Sequence, residues 1–520
     1  MRLIFKFLDV LSIVAVLGVV SASAKIDEKF RTEEHNPISD FMYCADPTAV
    51  EYDGRLYVYG TNDQQEFEAN KAGTDNSYGK IRSLVMFSTD DMVNWTYHGL
   101  IEMPKIASWI GTSWAPSIVS RVEKDGQTHF YLYFLNSGYA VAVLTSTSPV
   151  GPWKSPLGSN LINGFDPGVA IDDKGVGWLS FGGQGSTPSV VQLGSDMTSI
   201  KGKPVEINAP FHNEANELNF INGVMVYTYN TDWSDHTPWV YTVAKPTACS
   251  MCYMTSSNPT DSDSWMFRGY YFKTPGDYLN FGWGNNHTHL HKFQGNWYLI
   301  YHNQMLQEQN DALGGYRSIA VDKIKVSEAL LKINECTATR KGVNQLKDMD
   351  PYVLQQAETS FATKNVTFKS DSKTPGNMYY SGMYGKTGII KVSRVNLSDG
   401  ADSLRLRVWG SGSIEVREKS EDGRLIASLV DYTNSTKDVV TVPVDSLYRG
   451  RPNLLFVCKG GIKFDTWQFV QCQQSTVVGP VSKDAVSSSD GLLYDLNGNV
   501  VEPFSAVKGI VIRNGRKYLQ

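Results

Sequence analysis

Five times in its first 300 residues the chain writes one short phrase, a glycine followed by a strand of alternating large apolar and aromatic residues. The copies are Gly54–Tyr59 (GRLYVY), Gly126–Tyr133 (GQTHFYLY), Gly175–Phe181 (GVGWLSF), Gly223–Tyr229 (GVMVYTY) and Gly295–Tyr301 (GNWYLIY). A turn glycine ahead of period-two apolar residues is a hairpin signal. Five hairpins at intervals of about 50 to 70 residues call for radial repetition, each unit one four-stranded blade. The phrase predicts a five-bladed β-propeller over residues 35–335.

The chain, at 520 residues, exceeds what one core supports. Further on, Leu404–Trp409, Ser413–Arg417 and Asn453–Val457 alternate between turns. They predict a second domain, a β-sandwich of jelly-roll type, over residues 355–472. The expected class is therefore all-β. A Ser/Val/Gly-rich stretch, 473–490, reads as a linker. Residues 491–520, with hairpin signals at Asn497-Gly498 and Asn514-Gly515, read as an appendage too short for its own core.

The first 24 residues have the form of a signal peptide. Arg2 and Lys6 precede an apolar run from Val10 to Val20, and Ala22-Ser23-Ala24 supplies small residues for cleavage. The run is too short to span a bilayer. An exported protein is expected, periplasmic, cell-surface or extracellular, without membrane insertion. A net charge of −5 gives no footing for nucleic acid, so a neutral partner fits better. Cys249 and Cys252 form a lone CxxC, which argues against zinc. Cys458 and Cys472 fall in one late domain and are a candidate disulfide.

Acidic residues recur ahead of the phrase. Asp46 lies eight residues before Gly54, Asp166 nine before Gly175, Glu214 nine before Gly223, and His287 eight before Gly295. In the second repeat Trp114 lies twelve before Gly126. If the preceding strand is the innermost of its blade, these side chains stand at similar height around one axis. Three carboxylates in one pocket suit glycoside hydrolysis: an acid for the leaving oxygen, a base for water, and a third group that raises the acid's pKa. Glu217, three residues on, is the rival to Glu214 and would sit deeper. Asp172 and Asp173 read as hairpin-turn residues. Asp63, Glu66 and Glu68 read as a solvated loop near the mouth. His287 is expected to line the pocket, and His289 and His291 to be packing or surface residues.

The pieces Ala45-Asp46-Pro47, Trp114-Ala115-Pro116, Gly151-Pro152-Trp153, Asp166-Pro167, Glu214-Ala215, Tyr301-His302 and Tyr316-Arg317-Ser318, in this order, resemble glycoside hydrolase family 43 across residues 35–335. The resemblance implies an inverting mechanism with Asp46 as general base, Glu214 as general acid and Asp166 as pKa modulator. It also implies Arg317 beside the bound sugar, with an ion pair between blades as the alternative, and His287 near a channel centre where some relatives hold calcium through water. Trp114 offers a sugar-stacking face, with core packing as the alternative. No cofactor is required for the chemistry.

Gln356-Ala357-Glu358, Ser413–Arg417, Gly423–Ala427 and Phe464–Trp467 resemble carbohydrate-binding module family 6. That likeness implies a structural calcium held by Glu358 and Asp465. Tyr379, Tyr380 and Tyr384 read as loop aromatics, but the usual Gly-Asp-Trp stretch that follows is missing, which leaves a sugar-binding module and a packing module as alternatives. The tail resembles C-terminal sorting tails of secreted bacterial proteins. The expected function is removal of arabinofuranosyl or xylosyl residues from arabinoxylan-type plant cell-wall polysaccharide or oligosaccharide. The alternatives are an arabinan- or galactan-directed glycosidase and a non-catalytic polysaccharide-binding protein.

Overall fold

The computed structural model describes residues 34–472, apart from 72, 184, 282, 283, 372 and 384, with short strands between 493 and 519. The signal segment (1–24), the linker (473–490) and Tyr384 lie outside the described residues.

Five antiparallel sheets follow in chain order. Blade 1 is β1 (Ala45–Tyr52), β2 (Arg55–Thr61), β3 (Ser83–Thr89) and β4 (Trp95–Glu102). Blade 2 is β5 (Ser113–Val122), β6 (Thr128–Asn136), β7 (Ala140–Ser146) and β8 (Ile162–Asn163). Blade 3 is β9 (Gly168–Ile171), β10 (Gly177–Phe181), β11 (Ser189–Leu193) and β12 (Ile200–Glu206). Blade 4 is β13 (His212–Ile221), β14 (Val224–Thr231), β15 (Met251–Ser256) and β16 (Met266–Phe272). Blade 5 has three strands, β17 (Thr288–Phe293), β18 (Asn296–Asn303) and β19 (Ser318–Lys323). The first strands touch in a closed ring, β1 to β5, β9, β13, β17 and back to β1.

Each repeated phrase supplies its blade's second strand, and its alternation feeds two neighbours. Phe130, Leu132 and Phe134 pack toward blade 1, whereas Tyr131 and Tyr133 pack toward blade 3. Tyr298 and Ile300 meet blade 1, while Leu299 and Tyr301 meet blade 4. A strand buried on both faces needs a nearly continuous apolar run, and period two divides it between two interfaces. The phrase glycines all have positive φ, between 72° and 80°, and an added Cβ would meet nothing within 4 Å. Backbone conformation, not space, selects glycine there.

The start of the chain closes the circle. The Ile38 N–H donates to the Ile319 carbonyl at 2.8 Å and the Cys44 N–H to the Arg317 carbonyl at 2.9 Å. Asn36 Oδ1 accepts from the Val321 N–H. The segment thus covers the β19 edge that a fourth strand covers elsewhere.

A short hairpin (β20, Val326–Ser327; β21, Lys332–Ile333) leads into a curled nine-stranded sheet. Its strands are β22 (Gln355–Gln356), then, after β23 (Thr359–Ser360), β24 (Ala362–Lys364), β25 (Phe368–Ser370), β26 (Met378–Tyr380), β27 (Gly388–Val392), β28 (Ala401–Glu418), β29 (Leu425–Pro443), β30 (Leu454–Gly460) and β31 (Lys463–Gln471). Leu404, Leu406, Val408, Phe456, Phe464 and Trp467 fill its core. β23 pairs instead with β4 of blade 1, and Met378 enters the cluster between blades 1 and 5.

In the tail β32 (Leu493–Tyr494), β33 (Val500–Val501), β34 (Ile510–Arg513) and β35 (Arg516–Leu519) form a sheet of order β33-β32-β34-β35. Cys458 is a free buried thiol, so the expected bond to Cys472 is not made; Cys44, Cys249, Cys252 and Cys336 are buried thiols too. No helix among the described residues is long and apolar enough to cross a membrane.

Candidate active site

At the same point of four blades the backbone swings through the left-handed region: φ is 48° at Asp46, 43° at Ala115, 43° at Asp166 and 60° at Ala215. The ladders of β1, β5 and β13 shift register there. Such bulges re-aim side chains at the rim of a sheet. Asp46 and Asp166 therefore occupy equivalent positions, whereas Glu214 stands one residue earlier than its counterpart Ala215. This corrects the level spacing expected from the offsets. The β9–β10 turn is longer than the two-residue turns of blades 1 and 4, so nine residues in blade 3 equal eight elsewhere. Glu214 is accordingly half-buried, while Asp46 and Asp166 are only 5 % and 6 % exposed.

The three carboxylates share a pocket of about 300 Å³, lined also by Tyr78, Trp114, Phe165, Trp233, His287 and Arg317. Asp46 Oδ1 accepts from Arg317 Nη1 at 2.8 Å and Oδ2 from the Thr61 hydroxyl at 2.7 Å. Burial alone would raise its pKa, but Arg317 and the nearby His302 and His287 reverse that and hold the carboxyl well below its usual range. Asp166 goes the other way. Burial, then the charges of Glu214 and Asp46, push it well above the usual range, against one N–H donated by Ala215 to Oδ2 at 2.9 Å. Asp46 is thus ionised at neutral pH, while Asp166 and Glu214 repel one another's second charge.

His302 Nδ1 lies 3.2 Å from both the Asp46 backbone nitrogen and Asp46 Oδ1, and its Nε2 faces the Asn285 carbonyl at 3.0 Å. His287 Nδ1 lies 3.6 Å from Asp46 and 3.9 Å from Asp166. Burial lowers its pKa to about 4, so the ring is neutral.

Glu217 does not reach this pocket. It is 2 % exposed, and burial raises its pKa well above the usual range. Its Oε1 lies 3.1 Å from His289 Nδ1, and His289 Nε2 lies 3.2 Å from His291 Nδ1. Burial pushes both imidazoles down to about 3. The Glu217 carboxyl of blade 4 thus faces His289 of blade 5 below the pocket, without an aligned hydrogen bond to Nδ1.

The acidic cluster also differs from expectation. Asp63 and Glu66 belong to a short helix, Asp63–Ala69, and both are fully buried; only Glu68 is exposed. Asp63 accepts from Arg317 Nε and Nη2, each at 2.9 Å. Glu66 accepts from the Ser77 hydroxyl and the Lys80 N–H. A string of acids interspersed with Gln and Asn carries no mark of the distant partners that bury it. Thr61, Tyr78, Phe165 and Trp233 carry no expectation from the sequence, and His302 enters only within the Tyr301-His302 piece of the family pattern. Thr61 ends a repeated strand and Phe165 precedes Asp166, which were usable signals; Tyr78 and Trp233 lie in loops without one. Asp172 accepts the Lys174 and Val176 N–H groups as a turn residue.

In the second sheet Glu358 and Asp465 are each 1 % exposed, and burial, with Asp465 adding, raises Glu358. Glu358 Oε2 and Gln356 Oε1 are buried without a hydrogen-bond partner. Asp465 accepts from Asn377 and Lys437 at 3.1 Å each. Oxygen donors with orphaned lone pairs suit a calcium ion. Among the described residues no cluster of three His, Cys, Asp or Glu could hold a metal, so amide and carbonyl oxygens would complete such a site. Tyr380 is buried, and Tyr379 packs on Trp409 at 4.7 Å, whose ring lies 4.7 Å from the Lys437 ammonium.

The sequence profile of glycosyl hydrolases family 43 matches residues 34–328. The chain belongs to this family. It is a glycosidase acting on O-glycosyl bonds. It is 34 % identical, over 84 % of its length and 92 % of the relative's, to an arabinoxylan arabinofuranohydrolase of Bacillus subtilis. Its identity to the enzyme of that name from Paenibacillus polymyxa is 30 %, over 97 % of this chain and 84 % of the relative. A crystal structure of the Bacillus subtilis family 43 arabinoxylan arabinofuranohydrolase in complex with cellotetraose superposes with a TM-score of 0.78 at 32 % identity, covering 85 % of this chain and all of the other.

Proposed function

We propose that this glycosidase is an exported, inverting enzyme that removes single arabinofuranosyl residues from arabinoxylan-type plant polysaccharide. The observation that carries the chemistry is the contrast between Asp46, ionised and held at both oxygens, and the mutually repelling Asp166–Glu214 pair across the same pocket. Asp46 takes a proton from water as the water attacks the anomeric carbon. Glu214 delivers a proton to the leaving oxygen, and Asp166 opposes that proton's loss to solvent. Blades 1 and 4 are not adjacent in the ring, which leaves space for the water that inversion needs.

About 300 Å³ is at the small end of ligand pockets. It matches one sugar ring rather than a length of chain, which supports removal of a side residue. Two relatives named for arabinoxylan support the polymer, and xylosyl release is the second substrate reading. A structural calcium held by Glu358, Asp465 and Gln356 would order the second sheet, with no part in the hydrolysis. Incubation with arabinoxylan, followed by NMR of the first product formed, tests these points. Release of arabinose with inverted configuration is expected; retained configuration, or xylose alone, overturns the corresponding part.

A further inference from the structure

We propose that Asp63 is a positioning residue, holding the Arg317 guanidinium in the one orientation that sets Nη1 against the Asp46 carboxylate. The inference rests on Asp46 acting as the base. Three bonds define the hold. Arg317 Nε donates to Asp63 Oδ2 and Nη2 to Oδ1, each at 2.9 Å, and the Arg317 backbone N–H donates to Oδ2 at 3.1 Å. This two-pronged fork fixes both the plane and the direction of the guanidinium. The remaining nitrogen, Nη1, then reaches Asp46 Oδ1 at 2.8 Å. Tyr78 lies under the group, its ring centre 4.9 Å from the guanidinium carbon.

Asp63 is itself anchored. It opens a short helix capped by Asn62, whose Oδ1 accepts the Gln65 N–H and whose Nδ2 donates to Ser83 Oγ. The Gln64 N–H donates to the Tyr43 carbonyl at 3.0 Å. Arg317 directly precedes β19 of blade 5, so the fork also joins blade 5 to the base on blade 1. Burying a carboxylate with zero exposure is costly unless every lone pair is used well. A buried arginine that needed only neutralising already has Asp46. The second carboxylate supplies orientation.

The groups facing Asp46 are Arg317, His302, His287 and Asp166, with Asp63 behind Arg317. An Asp63→Asn protein keeps the shape but can accept from only one prong. Arg317 then drifts from Oδ1, and the acid limb of the kcat/KM–pH profile climbs toward the ordinary carboxylate range. Arabinose release from arabinoxylan should fall on the order of 100-fold at neutral pH, with most of the loss in kcat. Arg317→Ala should be no worse when combined with Asp63→Asn, since both remove one device. An unmoved acid limb with activity within about threefold of the parent, or additive losses, overturns the proposal. Should Asp63→Asn not fold, Asp63→Glu keeps the charge and displaces the fork: a neutralising role leaves the profile unchanged, a positioning role moves it. Asp46→Ala, run alongside, separates the two failures. Full activity there removes the reading of Asp46 as base, whereas an inactive Asp46→Ala beside a normal Asp63→Asn removes only the role of Asp63.

Discussion

Glu214 and Glu217 stand three residues apart on one strand, and the fold treats them as opposites. Glu214 borders a bulge and opens half-buried into a pocket beside Asp166. Glu217 lies past that bulge in the closed shaft, where it faces His289. Glu217 is the more deeply buried of the two, so burial alone does not make a catalytic acid. The difference is access: one proton can be handed to a substrate, the other only to a neighbouring ring. A perturbed carboxyl marks a functional candidate only when something can reach it.

The sharpest way to break this contrast is to remove each group of the pocket. Asp46→Ala and Glu214→Gln should each lower kcat/KM on arabinoxylan by about 10²–10⁴-fold, with melting temperature near the parent. Glu217→Gln, on the same strand, should leave kcat/KM within a few-fold. Equal losses at the two glutamates would erase the distinction.

Asp166→Asn probes the repulsion in the pocket through pH. The alkaline limb of kcat/KM should move to lower pH, because the neighbouring charge that retains the acid's proton is gone. Activity should drop by about 10²-fold. Stability should move the other way. Asp166 has a raised folded pKa, so its contribution is full below the ordinary carboxyl value of about 4 and is lost as pH rises through the folded value. The Asn variant escapes that loss. Its melting temperature should exceed the parent's at pH 7 and not at pH 4, by calorimetry at both.

Glu217→Ala sharpens the other half. Its loss opens a cavity beside His289 in the buried shaft, at a cost of about 0.5–3 kcal/mol. The Gln variant, which keeps the side-chain volume, should lose less than the Ala variant. Thermal unfolding orders the three proteins, and activity per folded molecule should stay nearly flat across them.

Much of this was legible in the chain. The five phrases specify blades because a doubly buried strand and a two-residue turn both leave local marks, seen in Phe130–Phe134 and in Gly54 or Gly223. The aspartates were legible because Asp-Pro recurs at a set distance from those turns. What stayed hidden was partnership across the ring. Asp63 looks like any solvated loop acid, and only closure of blade 5 onto blade 1 brings Arg317 to it. The bulge at Ala215 was equally silent, since a one-residue shift in Glu214 leaves the pattern of β13 intact. The pairing of β23 with β4 depends on how the second sheet docks, which no local pattern records.

A second contrast sits between the pocket and the Glu358–Asp465 pair. Both hold close buried carboxyls, but Asp46 finds a guanidinium and a hydroxyl, whereas Glu358 keeps one oxygen unpartnered. An orphaned buried oxygen is expensive, and a cation would satisfy it. Calcium should therefore raise the melting temperature of the EDTA-treated protein, by about 2.7 kcal/mol of stabilisation at a hundredfold excess over Kd. Glu358→Gln should abolish that shift and leave kcat/KM unchanged. A calcium response that survives Glu358→Gln would place the ion elsewhere. No response in the parent would mean that Glu358 stays a neutral acid, consistent with its raised pKa, and that Lys437 and Arg407 supply the positive charge Asp465 needs.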